Sequence, residues 1–216
     1  MALYALVDAN NFYASCEKIF DPALADTPLV VLSNNDGCIV ARSVEAKALG
    51  IPMGAPMHQW QAFCDAHGVI SKSSNYTLYG DMSARMLSIL QDMCPQVESY
   101  SIDESFLDLA GYADARAYGL RIRQRLQQDI KITCGVGIGA TKTLAKFANH
   151  LAKKNAVFDG VCNLESLSNI EVEVWMAKYE VNEVWGVGRR IAPRLAALGI
   201  HSVLDLRNAP SRRIRE

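Results

Sequence analysis

The chain has 216 residues, of which 50% are hydrophobic, so it can bury a substantial core in one or two domains and a small third. Its six cysteines are scattered without a C-x-x-C pair, and no apolar run approaches the ~18 residues of a membrane span. These properties argue against a membrane protein, a structural zinc site and a secreted disulfide framework, and they fit a cytoplasmic protein.

The formal net charge of −1 conceals an asymmetry between the two halves of the chain. Residues 1–115 carry 5 Lys/Arg and 14 Asp/Glu, which gives −9, whereas residues 116–216 carry 17 Lys/Arg and 9 Asp/Glu, which gives +8. The basic half is therefore the candidate surface for phosphates.

The first half is predicted to consist of short elements separated by turn residues. The Asp-Gly of the turn Asn34–Gly37 favours a tight hairpin, and Gly50 is a helix stop signal. In chain order we predict a strand at 2–8, a helix at 10–19, strands at 28–32 and 38–41, a helix at 43–49, an irregular segment at 51–73 and a longer helix at 75–93.

The second half alternates strands and helices, beginning with an acidic hairpin at 97–109 and a helix at 113–129. In the following strand, 131–139, Gly135, Gly137 and Gly139 share one face, which permits close approach by another backbone or a ligand. A composition shift at 165–180 precedes a helical C-terminal part. This order predicts an α/β (α+β) fold on a mixed, mostly antiparallel sheet.

Two predicted strands lead into carboxylates. The apolar run Leu3–Val7 ends on Asp8, and the run 97–102 leads into the adjacent pair Asp103 and Glu104. Carboxylates gathered in one place repel one another unless cations lie between them, and oxygen ligands without nearby His or Cys suit Mg²⁺. The alternative is that each acid only ends a strand at the surface.

The helix after the glycine strand carries Lys142, Lys146, Asn149 and Lys153 on one stripe. We predict that the other side, which includes Leu144, Phe147, Ala148 and Leu151, is buried. The lysine stripe is either a phosphate-binding surface or an ordinary solvated face.

The residues around the acids resemble a known family. Asp8–Glu17 and Tyr100–Phe106 are similar to the two catalytic motifs of Y-family translesion DNA polymerases, and Val31–Cys38, Glu45–Gly50 and Thr141–Lys146 match further motifs. The similarity covers essentially the whole chain, in order, and is closest to the UmuC and ImpB/MucB/SamB group. It implies the N-terminal catalytic part of a right-handed polymerase, with a palm at 1–19 and 75–165, small fingers at 20–74 and an incomplete thumb at 166–216 containing a helix-hairpin-helix near 184–199.

The resemblance also implies roles for particular residues. Asp8, Asp103, Glu104 and the carbonyl of Ala9 would hold two Mg²⁺ ions. Asn11, Phe12, Tyr13, Lys47 and Lys153 would bind a deoxynucleoside triphosphate, with the Tyr13 ring as a steric gate against a 2′-hydroxyl. Gly186, Val187, Gly188 and Arg189 would bind a phosphate of primer–template DNA.

The expected activity is template-directed, error-prone nucleotidyl transfer past damaged bases, as in SOS-type DNA repair. Relatives continue with a little-finger domain and a tail that binds accessory subunits and the sliding clamp, and we expect this chain to lack that domain. Two alternatives remain: a truncated remnant that binds DNA or partner subunits without turnover, and a palm-fold nucleotidyl cyclase, which would need neither Tyr13 nor the hairpin.

Overall fold

The computed structural model describes residues 2–215, without the side chains of Arg213 and Arg215. Met1 of the predicted palm and Glu216 of the predicted thumb lie outside the described residues. No helix in this range combines the length and the apolar character needed to cross a membrane. The chain separates into two compact units, a first unit of Met1–Val7, Phe106–Leu120 and Gly135–Glu216 and a second unit of Asp8–Ser105 and Arg121–Cys134.

Most predicted elements are present, with ends that differ by a few residues. The strands are β1 (Tyr4–Ala9), β2 (Leu29–Leu32), β3 (Ile39–Arg42), β4 (Ile70–Ser73), β5 (Val97–Ser99), β6 (Glu104–Asp108), β7 (Cys134–Gly139) and β8 (Val161–Asn163). The helices are α1 (Phe12–Phe20), α2 (Val44–Ala48), α3 (Met57–Ala66), α4 (Tyr76–Met93), α5 (Ala115–Ile130), α6 (Lys142–Lys154), α7 (Asn169–Lys178), α8 (Ala192–Ala197), α9 (Val203–Asn208) and α10 (Ser211–Arg215).

The larger sheet has the strand order β5-β6-β1-β7-β8. The N–H of Ala9 donates to the carbonyl of Asp103 at 2.9 Å, and the N–H of Leu109 donates to the carbonyl of Leu3 at 2.8 Å. Residue numbers therefore fall along β6 as they rise along β1, so these two strands are antiparallel. Strands β7 and β8 are parallel, so the sheet is mixed, as predicted.

A smaller sheet in the second unit has the order β3-β2-β4. Strands β2 and β3 form the predicted antiparallel hairpin, whereas β2 and β4 pair in parallel, with Leu29 opposite Ile70. Its core is an apolar cluster that includes Val30, Ile39 and Ile51.

The prediction that residues 51–73 are irregular was wrong, because this segment contains α3 and β4. Met57 and Cys64 are buried, and Trp60 and Phe63 pack against the same cluster, which is the three-and-four-residue spacing of an amphipathic helix. Strand β4 is polar and mostly exposed, and it is a strand because it pairs with β2. Propensity alone did not indicate it.

The predicted close approach to the glycine face of β7 is confirmed. A Cβ atom on Gly137 would lie 1.9 Å from the backbone nitrogen of Asn149 and 2.2 Å from the carbonyl oxygen of Ala145. Any side chain at Gly137 would therefore collide with the backbone of α6.

Candidate active site

Asp8 and Glu104 lie opposite each other across β1 and β6. The hydrogen bond from the N–H of Ala9 to the carbonyl of Asp103 shows that these two residues are opposite each other. Because the strands are antiparallel, the residue before Ala9 on β1, Asp8, is opposite the residue after Asp103, Glu104. Such a non-hydrogen-bonded pair places both side chains on one face, with Cα atoms about 4.5 Å apart. In the same register Leu6 is opposite Phe106, and these two residues share an apolar cluster.

Asp103 occupies the turn that precedes β6. Its carboxylate accepts a hydrogen bond of 2.8 Å from the hydroxyl of Ser101. The pKa of the Tyr13 phenol is raised, mainly by burial and then by the neighbouring Tyr76 and Asp103. Asp103 therefore lies close enough to act electrostatically on Tyr13. The structure thus brings the three predicted carboxylates and the predicted gate residue into one neighbourhood of the second unit.

The carboxylates fit Mg²⁺ that arrives with a substrate. Within residues 2–215, no three His, Cys, Asp or Glu side chains are arranged as a preformed metal site. In phosphoryl-transfer enzymes, however, Mg²⁺ is usually bound by one or two carboxylates, several waters and the phosphates of the substrate. The side chains of Asp8 and Glu104 supply two carboxylates from neighbouring strands of the sheet. All of the predicted protein ligands are oxygen atoms.

The start of α1 lies directly after the strand that carries Asp8. Asn10 donates its backbone N–H to the carbonyl of Thr133 at 2.8 Å, and Asn11 has a left-handed backbone with φ 51°. Asn11 makes no side-chain hydrogen bond to the first turn of α1, and its side-chain oxygen accepts a hydrogen bond from Nζ of Lys47. A helix N-terminus next to a lysine favours an anion such as a triphosphate.

Ser43 fixes the start of the helix that carries Lys47. Its side chain is buried, and its hydroxyl oxygen accepts hydrogen bonds from the N–H groups of Leu29 at 3.0 Å and Ala46 at 3.3 Å. The first bond ties α2 to the central strand of the smaller sheet.

Tyr13 belongs to a group of three tyrosine rings. It stacks on Tyr79 with ring centres 4.2 Å apart, and the centre of the Tyr76 ring lies 6.1 Å from that of Tyr13, in a nearly perpendicular arrangement. Tyr79 is fully buried, and its hydroxyl donates to Oε1 of Glu17 at 2.7 Å. Tyr76, Tyr79 and Glu17 are not among the site residues predicted from the sequence. The three-residue spacing of the two tyrosines at the start of α4 was the one available signal.

Lys153 and Asn149 belong to the first unit. Lys153 is exposed, and its aliphatic stem lies along Gly135, where a Cβ atom would come within 2.9 Å of it. Asn149 is 3% exposed, and its Nδ2 donates to the carbonyl of Leu6 at 3.3 Å. Asn149 lies on the stripe that the sequence assigns to the side of α6 away from the core, yet it is buried, because the glycines of β7 let this face of α6 pack against the sheet.

The predicted DNA-binding hairpin, Gly186–Arg189, also lies in the first unit. Gly186 has φ +91°, a conformation that favours glycine, and the N–H of Val187 donates to the carbonyl of Val184 at 2.8 Å. The Trp185 ring lies 5.9 Å from the ring of Phe106, and Nζ of Lys146 lies 6.0 Å from the Trp185 ring centre. The hairpin is thus anchored beside a lysine of α6.

Comparison with known proteins identifies the family and the fold of the chain. The model of the impB/mucB/samB family matches residues 7–150. Protein UmuC of Salmonella typhimurium is 50% identical over 94% of this chain and 49% of its own length, and protein SamB of Salmonella typhimurium is 45% identical over 99% and 51%. A solved insertion ternary complex of Dbh DNA polymerase matches with a TM-score of 0.82 and 25% identity over 99% of this chain and 62% of that one.

The family match covers both predicted catalytic motifs, and the structural match confirms the predicted fold class. The chain spans about half the length of the curated relatives it matches. The matched residues include the facing carboxylates, the glycine strand β7 and Tyr13. The chain therefore belongs to the impB/mucB/samB family.

Proposed function

We propose that this chain is the catalytic part of a Y-family DNA polymerase that copies past damaged bases in SOS-type repair, by a mechanism with two Mg²⁺ ions. The observation that carries the proposal is the facing pair Asp8 and Glu104, beside Asp103 and Tyr13. The similarity to UmuC and to Dbh DNA polymerase supports it.

Each residue of the site has a distinct task in this mechanism. Asp8, Asp103, Glu104 and the carbonyl of Ala9 would hold the ions. Bound Mg²⁺ would lower the pKa of the primer 3′-hydroxyl and would neutralise charge on the triphosphate and on the leaving pyrophosphate. Lys47, Lys153 and the start of α1 at Asn11 and Phe12 would bind the triphosphate, and the Tyr13 ring would exclude a 2′-hydroxyl by steric clash.

Primer–template DNA would bind the basic part of the chain. The hairpin Gly186–Arg189 would offer backbone N–H groups and Arg189 to a phosphate, and Lys146 lies against the adjoining Trp185. The smaller sheet with α2 and α3 would form the fingers at 20–74, and α7–α10 would form the thumb at 166–216. Binding to accessory subunits and a sliding clamp is proposed for the whole protein by analogy with the family.

Primer extension tests the proposed activity. Purified protein, primer–template DNA and deoxynucleotides should give Mg²⁺-dependent extension that is templated and that is lost in Glu104→Gln. Asp26→Asn is the matched control, because it removes one exposed carboxylate outside the site. Extension by Glu104→Gln at the wild-type rate would overturn the two-metal assignment. DNA binding without extension by the unchanged protein would favour the non-catalytic alternative.

A further inference from the structure

Tyr79 is attached to α1 at two points. Its ring stacks on Tyr13 with centres 4.2 Å apart and planes 13° apart, and its hydroxyl donates to Oε1 of Glu17 at 2.7 Å. Tyr13 and Glu17 are four residues apart on α1, so they lie on the same face of that helix. The ring and the hydroxyl of one α4 residue therefore contact successive turns of α1.

The two contacts constrain Tyr79 in different ways. Ring stacking has a shallow preference for offset, so it allows the rings to slide past each other. The hydrogen bond is directional and charge-assisted, so it fixes where the phenol oxygen lies. Because Tyr79 is fully buried, its hydroxyl would have to give up this partner in order to move. Glu17 thus fixes the ring on which Tyr13 rests.

Tyr76 contacts the same two rings from the side. Its ring lies 6.1 Å from Tyr13 and 6.1 Å from Tyr79, nearly perpendicular to both, at 85° and 83°. Tyr76 is 48% exposed, whereas Tyr79 is completely buried. Of these two rings that contact Tyr13, Tyr79 is the buried one and the one that is also held by a hydrogen bond.

We propose that Glu17 is a positioning residue for sugar selection: by holding Tyr79, it prevents the Tyr13 ring from yielding to a ribonucleotide 2′-hydroxyl. The inference rests on the proposed role of Tyr13 as the gate. Exclusion by clash works only when the excluding group cannot move, so selectivity depends on what stands behind the ring. Glu17 accepts a hydrogen bond from the Tyr79 hydroxyl, so it acts on the Tyr13 ring through the Tyr79 ring on which Tyr13 stacks.

The simpler role for Glu17 is to satisfy a buried hydroxyl and so to stabilise the fold. The two roles differ in what they change. Loss of a purely stabilising bond lowers the melting temperature and affects binding of ribo- and deoxynucleotides equally. Loss of a positioning bond selectively improves ribonucleotide binding.

The test uses variants that remove or keep the hydrogen bond. Glu17→Ala removes the acceptor, and Tyr79→Phe removes the donor but keeps the stacked ring. Glu17→Gln keeps an acceptor oxygen on a side chain of the same length. For each protein with primer–template DNA and Mg²⁺, the dissociation constants of one ribonucleotide and its deoxy counterpart are measured, together with the melting temperature. Tyr13→Ala is the reference for complete loss of the gate.

We expect Glu17→Ala and Tyr79→Phe each to lower the ribo/deoxy ratio of dissociation constants at least about threefold, with Glu17→Gln close to wild type. The double variant Glu17→Ala/Tyr79→Phe should have the same ratio as either single variant, because each substitution removes the same hydrogen bond. An unchanged ratio in Glu17→Ala or in Tyr79→Phe, or a ratio in Glu17→Gln as low as that in Glu17→Ala, overturns the inference.

The outcomes also separate this inference from the proposed function. If Tyr13→Ala lowers the ratio and neither Glu17→Ala nor Tyr79→Phe does, the gate stands and only the role of Glu17 fails. If Tyr13→Ala leaves the ratio unchanged, or if the unchanged protein binds neither nucleotide, the proposed gate itself fails and the role of Glu17 fails with it.

Discussion

Asp8 faces Glu104 across two neighbouring antiparallel strands, in the register set by the 2.9 Å hydrogen bond from Ala9 to Asp103. Like charges directly opposite each other in a sheet are destabilising. In the proposed function, a divalent cation bound by both carboxylates would offset this repulsion.

Replacing Tyr13 tests the gate. Tyr13→Ala should admit ribonucleotides with little loss of deoxynucleotide insertion, because the ring acts by clash and not by attraction. We expect the ratio of kcat/KM for a deoxynucleotide to that for its ribo counterpart to fall at least ~10-fold, about 1.4 kcal/mol. A smaller change would mean that Tyr13 is only part of the aromatic packing on α4.

Two glycine substitutions test the packing of α6 on β7. Gly137→Ala should destabilise the protein by at least about 3 kcal/mol, because its Cβ would lie 1.9 Å from a backbone nitrogen. Gly80→Ala is the matched control, since nothing lies within 4 Å of its Cβ and it sits in α4. That change should stabilise the protein by about 0.5–1 kcal/mol. Urea unfolding measures both, and similar stabilities of the two variants would contradict the packing.

The lowered pKa of His150 predicts that the protein loses stability at mildly acidic pH. Its Nδ1 lies 3.3 Å from Oε2 of Glu183, but burial lowers its pKa and outweighs the attraction of that carboxylate, and Lys154 adds to the lowering. The unfolded state, with a pKa of about 6.5, therefore binds more protons than the folded state as pH falls through that value. This contribution to stability is complete above that pH and is lost below it.

The prediction is checked by the free energy of unfolding at pH about 7.5 and about 5.5. The decrease should be larger in the wild type than in His150→Gln, which keeps a hydrogen-bond donor for Glu183 and cannot gain a proton. Equal decreases in the two proteins would assign the pH dependence to other groups.

Salt dependence tests the hairpin as a phosphate contact. If Arg189 neutralises one phosphate, Arg189→Gln should reduce the slope of log affinity against log salt concentration by about 0.9. Arg125→Gln is the control, because Arg125 forms an ion pair with Asp129 on α5, in the second unit. Equal slopes for wild type and Arg189→Gln would place DNA binding elsewhere.

Local patterns predicted the elements that carry the carboxylates. An apolar run ending on Asp8, a hairpin with Asp103 and Glu104 at its turn, and a strand with glycines on one face follow from side-chain alternation and turn chemistry. The structure contains all three. That Asp8 lies opposite Glu104 could not be predicted from these patterns, because it depends on the register of β1 against β6. That register is set by pairing between segments that are distant in the chain.

Contacts between distant segments also explain what the sequence analysis missed. Strand β4 has a polar sequence and exists through pairing with β2. Asn149 fits a solvated stripe by spacing, yet its partner is the carbonyl of Leu6, 143 residues away in the chain. The bond between Tyr79 and Glu17 joins residues 62 apart. None of these pairings has a local signature.

The most direct test of the carboxylate pair is the free energy of unfolding of wild type, Glu104→Gln and the control Asp26→Asn, with EDTA and then with Mg²⁺ and a deoxynucleotide. With EDTA, Glu104→Gln should be more stable than wild type by about 0.2–1 kcal/mol, because the facing repulsion is removed. Mg²⁺ and nucleotide should then stabilise wild type and Asp26→Asn but not Glu104→Gln. Equal stabilisation of all three proteins, or a Glu104→Gln variant less stable than wild type in EDTA, would contradict the assignment of Asp8 and Glu104 as a cation-binding pair.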